Sequence, residues 1–511
     1  MTAAARYEAL TAKRTHYITR ARQNAKVTIP HLFPETDSYD TDLYTPYQSV
    51  GSRGVNNLAA KLTQALFPPG SSPFKLTVDE YTLQQLGQDE TVRGEVETSL
   101  SSIEQACVTD RETTQFRPSA SSAMLQLVVA GNVGFYYPKD PVKTRVFRLN
   151  QYVVRRSPSG ELLEAVIKEG VAKVSLPENV LATLASDGNN PLPSARGTSS
   201  DNVDLFTHIL LEKGQYTVYQ EVSGIEVDGS RGRYNPDKLP YLFLRLNKVD
   251  GEDYGRSYVD DYYGDLATLE SLSEALVGGS IVMSKIIFFV NPSSTTRAED
   301  LVNTANGGFV EGSAQDVSTL QVEKVQDLSW IRQHTNEIEK RLAYAFLLNT
   351  SIQRPGERVT AEEIRMMARE LESSLGGVYS VLSQEMQLPL ARLQLARLQA
   401  SGDIPKLPKQ VKPMIVTGIE AIGRGQDLTK LEQFLSGARA ALGETVVAQY
   451  VNPSEFIKRL GASLGISTKG LVLSPEEVAA SSQQQAVQGM MPTMVDAGAK
   501  LAAKQMEQQN G

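Results

Sequence analysis

The chain has 511 residues, of which 41% are hydrophobic and 22% charged, with a formal net charge of −8. That is ordinary globular composition, long enough for several domain-sized units with sizeable cores. The acidic balance excludes the strongly basic footprint of a tight DNA binder. It leaves room for a surface along which DNA slides, because each phosphate paired with Lys or Arg adds affinity and therefore drag. A lone cysteine, Cys107, excludes an intrachain disulfide framework and fits a reducing origin. The first thirty residues carry Arg6, Lys13, Arg14, Arg20 and Arg22 without an apolar run, so no secretory signal is expected. The most apolar stretch, residues 281–290, is broken by Lys285 and falls short of the roughly 18 residues that span a bilayer. No membrane is expected as a partner.

In chain order, residues 1–30 predict a helix ending near Pro30. Residues 53–67 predict a second helix, stopped by Pro68-Pro69-Gly70, and residues 121–132 a third, shorter apolar segment. Between 135 and 260, short β-rich runs such as 216–222 and 241–246 alternate with Gly, Pro and Asp turns, and 194–202 is a polar loop. A mixed α/β domain is expected there. Residues 260–289 carry Leu266, Leu269, Leu272 and Leu276 before the stop at Asn291-Pro292. That is about 30 residues, or ~45 Å of helix. A Gly- and Ser-rich insert over about 291–324 follows. A second helix, about 326–348, places Leu328, Ile331, Ile338, Leu342 and Ala345 on one face. The pattern is a hairpin of two long helices with a compact insert at its tip. Thr360-Ala361-Glu362-Glu363 then reads as a capping box. The stripe that follows is Ile364, Met367, Ala368, Leu371, Leu375, Val378 and Leu382, and the helix is expected to run to Leu388, before Pro389. Gly376-Gly377 in its middle are the expected site of a kink. Residues 428–511 are expected to be helical again.

Catalytic signatures are sparse. No Gly-Lys dipeptide occurs, so a phosphate-cradling loop of the P-loop type is excluded. Gly461-Ala462-Ser463-Leu464-Gly465 matches the nucleophile-elbow pattern. That elbow needs a preceding strand and a later histidine. Here residues 456–460 read as helix, and His16, His31, His208 and His334 all precede Ser463. A small-residue helix-to-loop junction is the better reading. Four scattered histidines and one cysteine give no metal-ligand spacing, so no metal, cofactor or catalytic residue is assigned. Asp260-Asp261 and Glu362-Glu363 read as solvated charges at helix starts, and Trp330 as a packing residue.

Several segments, in order along nearly the whole chain, resemble the portal (head-to-tail connector) proteins of the T-odd podoviruses. They are Ile29-Pro30 with Leu32-Phe33-Pro34, then 50–59 (VGSRGVNNLA), 126–133 (QLVVAGNV) and 254–258 (YGRSY). Later come 354–365 (RPGERVTAEEIR), 375–389 (LGGVYSVLSQEMQLP) and 417–428 (TGIEAIGRGQDL). The colinearity carries the resemblance more than any one segment. It implies an α+β, mainly helical portal fold with wing, stem, clip and crown, assembled as a dodecameric ring around a channel for double-stranded DNA. On that pattern 1–259 is the wing, 260–290 the first stem helix, 291–324 the clip and 325–348 the second stem helix. Residues 349–359 are the tunnel loop, 360–427 the long kinked helix with its return to the wing, and 428–511 the crown and C-terminal tail.

The resemblance also implies partners. These are the terminase large subunit and then the tail adaptor at the clip, scaffold protein and the major capsid protein at one capsid vertex, and internal core or ejection proteins. The expected setting is the virion's head–tail junction, with assembly in the host cytoplasm. In the tunnel loop, Pro355-Gly356 signals a type II turn that holds Arg354 and Arg358 near its ends. The two arginines either pair locally with Glu357 or Glu362, or present positive charge to DNA in the channel. Without the resemblance, a helical scaffold or adaptor subunit of another large assembly fits the same residues, while the motif search disfavours an enzyme.

Overall fold

The computed structural model describes residues 2–35, 42–70, 72–78, 90–114, 116–176, 180, 202–284, 287–320, 325–348, 361–404, 413–417, 424–451, 453, 456, 457 and 460. Outside them lie Arg354, Arg358 and the rest of 349–360, most of the polar loop at 194–202, and residues 461–511 with the Gly461–Gly465 match. The elements run α1 (Ala3–Lys26), α2 (Val50–Leu66), β1 (Phe74–Val78), α3 (Glu90–Thr113), α4 (Phe116–Ala130), β2 (Asn132–Tyr136), β3 (Arg145–Phe147), β4 (Tyr152–Arg156), β5 (Leu162–Ala172), β6 (Asn202–Glu212), β7 (Gln215–Val222), β8 (Ile225–Glu226), β9 (Gly232–Tyr234) and β10 (Tyr241–Arg245). Then follow α5 (Val259–Met283), β11 (Ile287–Val290), α6 (Ala298–Asn303), β12 (Val317–Leu320), α7 (Val325–Ala345), α8 (Ala361–Ser374), α9 (Val378–Leu382), α10 (Leu388–Ser401), β13 (Pro413–Thr417), α11 (Arg424–Leu442) and α12 (Glu444–Tyr450).

Two compact units result. One is Met1–Pro69 with Asp110–Arg358 and Met366–Arg397; the other is Gly70–Thr109 with Val359–Arg365 and Leu398–Gly511. Residues 70–109, inside the range expected as wing, thus fall in the second unit. There β1 pairs antiparallel with β13, and the buried Glu104 carboxylate accepts the Leu76 amide at 2.7 Å. Neither strand was visible in the sequence pattern. Short strands paired across more than 300 residues leave no local alternation to read.

In the first unit, β4 to β8 form an antiparallel meander with β9 added to β7. Helix α1 lies on it, packing Tyr7 and Leu10 against Val153, Val166 and Phe206. Polar clamps fix that helix. Ala3 N–H donates to Glu221 at 2.9 Å, and the Arg6 guanidinium donates twice to Glu164, both at 2.7 Å. His208 Nε2 lies 3.0 Å from Glu164 as well. Burial raises the Glu164 pKa, but the bonds to Arg6 and His208 outweigh it, and the carboxyl ends below its ordinary value. A carboxyl depressed on folding stabilises fully above its unfolded pKa, and that stability is lost as pH falls through the lower folded value. Glu164→Gln should cost about 3 kcal/mol at neutral pH, the scale of breaking a buried pair. Urea titrations should show the gap from wild type closing as pH falls below about 4.5; a gap independent of pH would contradict the clamp.

The strands expected within 135–260 are observed, with 216–222 in β7 and 241–245 as β10, and so is the hairpin of long helices, while the elements given between α4 and α5 are strands and 3-10 turns. The first stem helix was expected to reach residue 290. It stops at Met283, and 287–290 instead forms β11, paired antiparallel with β12. Ile287, Phe288, Phe289 and Val290 are β-branched or aromatic, and their strand preference wins over continuation of the helix. The helix expected from Thr360 to Leu388 is also divided. Gly376 and Gly377 have φ of 60° and 89° and separate α8 from α9. A π turn, Ser383–Gln387, then leads straight into α10. Pro389 sits in the first turn of α10 and does not stop it, because the wide turn before it makes room for the proline ring.

Candidate functional site: the base of the stem hairpin

Segments 50–59, 126–133 and 254–258, far apart in sequence, meet around the foot of α5 and α7. Asn132 and Gly255 bond reciprocally: Asn132 Nδ2 donates to the Gly255 carbonyl at 2.6 Å, and Gly255 N–H donates to Asn132 Oδ1 at 2.7 Å. Gly131, at φ +72°, lies so near the Arg256 backbone that a Cβ would stand 2.4 Å from its carbonyl carbon. Ser257 and Asp260 cap α5 mutually, each side chain accepting the other's amide at 3.0 and 3.1 Å. Asn24, fully buried, donates to Val129 O, Ser257 Oγ and Asp260 Oδ1. One α1 side chain thereby links the end of α4 to the start of the stem.

Helix α2 meets the other end of the hairpin. At Gly54 a Cβ would stand 2.6 Å from the buried Phe346 ring, so only glycine allows this approach. Asn57 Nδ2 donates to the carbonyls of Phe346 and Leu347, both at 3.0 Å, and Lys61 Nζ to Leu347 O at 3.1 Å. Tyr258 Oη donates to Ala345 O at 2.8 Å. These are carbonyls that a helix end leaves without intrahelical partners. Lys61 is 5% exposed and lies 3.6 Å from Glu370 of α8. Burial pulls its ammonium below the ordinary lysine value, with Glu370 pulling the other way. The end of α2 is finished in the same way, Tyr379 and Gln387 donating to the carbonyls of Ala65 and Leu66.

The stem above this base is open. On α5 only Val259, Leu266, Leu269 and Glu270 are buried, while Val277, Ile281 and Val282 are 46%, 55% and 52% exposed. By length and composition alone α5 is apolar enough to cross a membrane, and most of it is uncovered. The stretch that the sequence marks as most apolar, 281–290, shares only residues 281–283 with it. At the tip, Thr296 is the one buried residue among the described side chains of 291–318. Its hydroxyl donates to Asp316 and accepts the Ser313 amide, holding a fold that has no core. Phe288, Phe289, Val302 and Phe309 stand exposed there, apolar points that the Gly- and Ser-rich average concealed. Trp330, expected to pack, is 65% exposed and stacks on His334.

Of the residues singled out from sequence, Gly376 and Gly377 lie in the first unit between α8 and α9, while Arg354 and Arg358 lie outside the described residues. Asn24, Asn57, Lys61 and Asn132 were missed. The available signal was a polar residue on an otherwise apolar helix face: Asn57 and Lys61 stand at i and i+4 among Leu58, Ala59, Leu62 and Ala65. Among the described residues no group of three His, Cys, Asp or Glu is placed to hold a metal.

Buried polar joints at the foot of an apolar, half-uncovered helical hairpin suit a subunit built into a larger assembly, and comparison with known proteins agrees. The chain belongs to the family of bacteriophage head-to-tail connecting proteins, whose model matches residues 1–472. Within it the chain is similar to the portal protein of Enterobacteria phage T3, 43% identical over 97% of this chain and 92% of the relative. It is equally similar to the portal protein of Escherichia phage T7, 43% identical over 98% and 93%. Among solved structures, the neck of an empty gene transfer agent particle aligns at a TM-score of 0.36 and 11% identity, over 81% of this chain and 90% of that one. That likeness is too slight to argue from.

Proposed function

We propose that this chain forms a closed dodecameric ring at one capsid vertex, through which double-stranded DNA enters and leaves the head. The observation that carries the reading is the uncovered apolar face of α5, in a chain whose family joins head to tail. A lone subunit would leave that face in water; a neighbour in a ring would cover it. The polar bonds at the foot of the hairpin tie both stem helices to α1 and α2, which supports a stem that keeps its place in a ring wall. The clip would dock the terminase large subunit during packaging and the tail adaptor afterwards. Scaffold, major capsid protein and internal core proteins would meet the wing and crown. No catalytic step is assigned to this chain, and the energy of translocation would come from the packaging ATPase. Electron microscopy and native mass spectrometry of the purified protein test the reading. Open-centred rings are expected, and a population of monomers and dimers alone at micromolar concentration would overturn it.

Residues 349–359 are proposed to face the channel, with Arg354 and Arg358 as a weak contact zone for phosphates. Arg354→Ala with Arg358→Ala should still give rings of normal symmetry. Capsids made with it should package less DNA or leak it, and the defect should change with ionic strength because phosphate contacts are salt-dependent. Normal DNA content and retention across salt would leave the two arginines as local ion-pair partners only.

A further inference from the structure

We infer that Lys61, assisted by Asn57, is a positioning residue for the channel: it holds the last turn of α7 and the body of α8 in one frame. The inference rests on the reading of 349–359 as the channel-facing segment.

Three observations carry it. The first is the geometry at Lys61. One ammonium group on α2 donates to Leu347 O at the end of α7, at 3.1 Å, and stands 3.6 Å from Glu370 Oε2 on α8. Leu347 ends the helix before the segment and Glu370 lies within the helix after it, so a single side chain touches both flanking elements.

The second is the form of the anchor on α7. Leu348 N–H donates to Ala343 O at 2.8 Å and Leu347 N–H to Tyr344 O at 3.1 Å. That pair of bonds is the Schellman ending of a helix, whose left-handed position is usually glycine. Here it is Leu347, at φ +55°. A branched side chain held in this strained region persists only where its surroundings over-determine it. The surroundings are Asn57 and Lys61, which take the Phe346 and Leu347 carbonyls from one face of α2.

The third is the charge itself. Desolvating an ammonium is costly, and removing this one strands no buried charge, because Glu370 is partly exposed and Leu347 O keeps its bond from Asn57. A methionine at position 61 would fill the space. It could neither donate to Leu347 O nor attract Glu370, so what the charge adds is the link between the two anchors.

The test uses assembled rings of Lys61→Met, Lys61→Arg and Glu370→Gln. In Lys61→Met the melting temperature should stay level or rise. The amides of Leu347, Leu348 and residues 367–371 should exchange about tenfold faster, the scale of one lost charge-assisted hydrogen bond, while those of β4–β7 stay as in wild type. Lys61→Arg should restore part of the protection. Glu370→Gln, on a partly exposed side chain that does not endanger folding, should speed exchange in 367–371 and leave Leu347 and Leu348 protected. Unchanged exchange at these amides in Lys61→Met or Glu370→Gln overturns the inference. So does a uniform acceleration with a lowered melting temperature, which would make Lys61 a core residue and nothing more. Capsids built with Lys61→Met should lose DNA faster than wild-type capsids. If local exchange rises as expected and DNA retention stays normal, the positioning role stands and the channel reading of 349–359 falls.

Discussion

Ile281→Asp is expected to abolish ring formation while leaving the single chain folded. Ile281 is 55% exposed on the outer half of α5, one turn from Val277 and next to Val282, which are exposed as well. In the free subunit the substitution touches little, so circular dichroism and the monomer's melting temperature should barely move. In a ring, a neighbour covering this face gains about 1.5–3 kcal/mol from a buried isoleucine. The aspartate forfeits that gain and adds several kcal/mol for desolvating a carboxylate without a partner. A loss of about 4 kcal/mol per interface weakens each contact roughly a thousandfold, and a closed ring carries that loss at every junction. Sedimentation at micromolar concentration should therefore show monomers. Ile281→Ala, which removes area without adding charge, should weaken the ring but still allow it. Rings of Ile281→Asp in normal yield would mean that this face meets something other than a second copy.

The stem was legible because its period is long and its punctuation strong. Leu266 and Leu269 on α5, with Ile338 and Leu342 on α7, are buried where the stripe placed them. Leu272 and Leu276 fall at intermediate exposure, where the stripe alone predicts a covered face; a single chain has only one neighbour to offer a helix with apolar residues on several sides. The strands at the tip were hidden because Ile287–Val290 is apolar and short, and periodicity cannot separate such a run from the end of a helix. The pairing of β1 with β13 is a tertiary choice that no local window contains.

The foot of the hairpin was legible in a different sense. Segments 50–59, 126–133 and 254–258 stood out as resemblances without any stated role. Each proves to hold a residue that could not be exchanged cheaply: Gly54 against Phe346, Gly131 against Arg256, and Asn132 bonded to Gly255. Asn57 and Lys61 carried the same information as polar residues on an apolar face. Their meaning depended on carbonyls nearly 290 residues away, which sequence spacing does not reveal.

Gly376→Ala with Gly377→Ala is expected to cost about 2–4 kcal/mol and to impair assembly. On helix propensity alone the change should help, by about 1 kcal/mol per glycine. The backbone reverses the sign. Both residues have positive φ, 60° and 89°, where an L side chain costs roughly 1–2 kcal/mol each. No steric neighbour complicates the estimate. A Cβ at 376 would meet nothing within 4 Å, and at 377 only a Glu372 oxygen at 4.0 Å. The chain could escape by letting α8 run straight on into α9, but that would withdraw Val378, Tyr379 and Leu382 from their buried places. It would also remove the Tyr379 hydroxyl and Gln387 amide from the carbonyls that end α2. Glu372 would lose its bonds to the Ser380 amide and hydroxyl, which close the turn from outside. The variant should therefore show a lower urea midpoint with an unchanged slope, and fewer rings. Gly376→Ala alone should account for the smaller share, because φ near 60° is the gentler of the two positions. A midpoint equal to or above wild type would show that the straight helix is accessible after all, and that the break here is a preference of the glycines and not a demand of the packing around Tyr379.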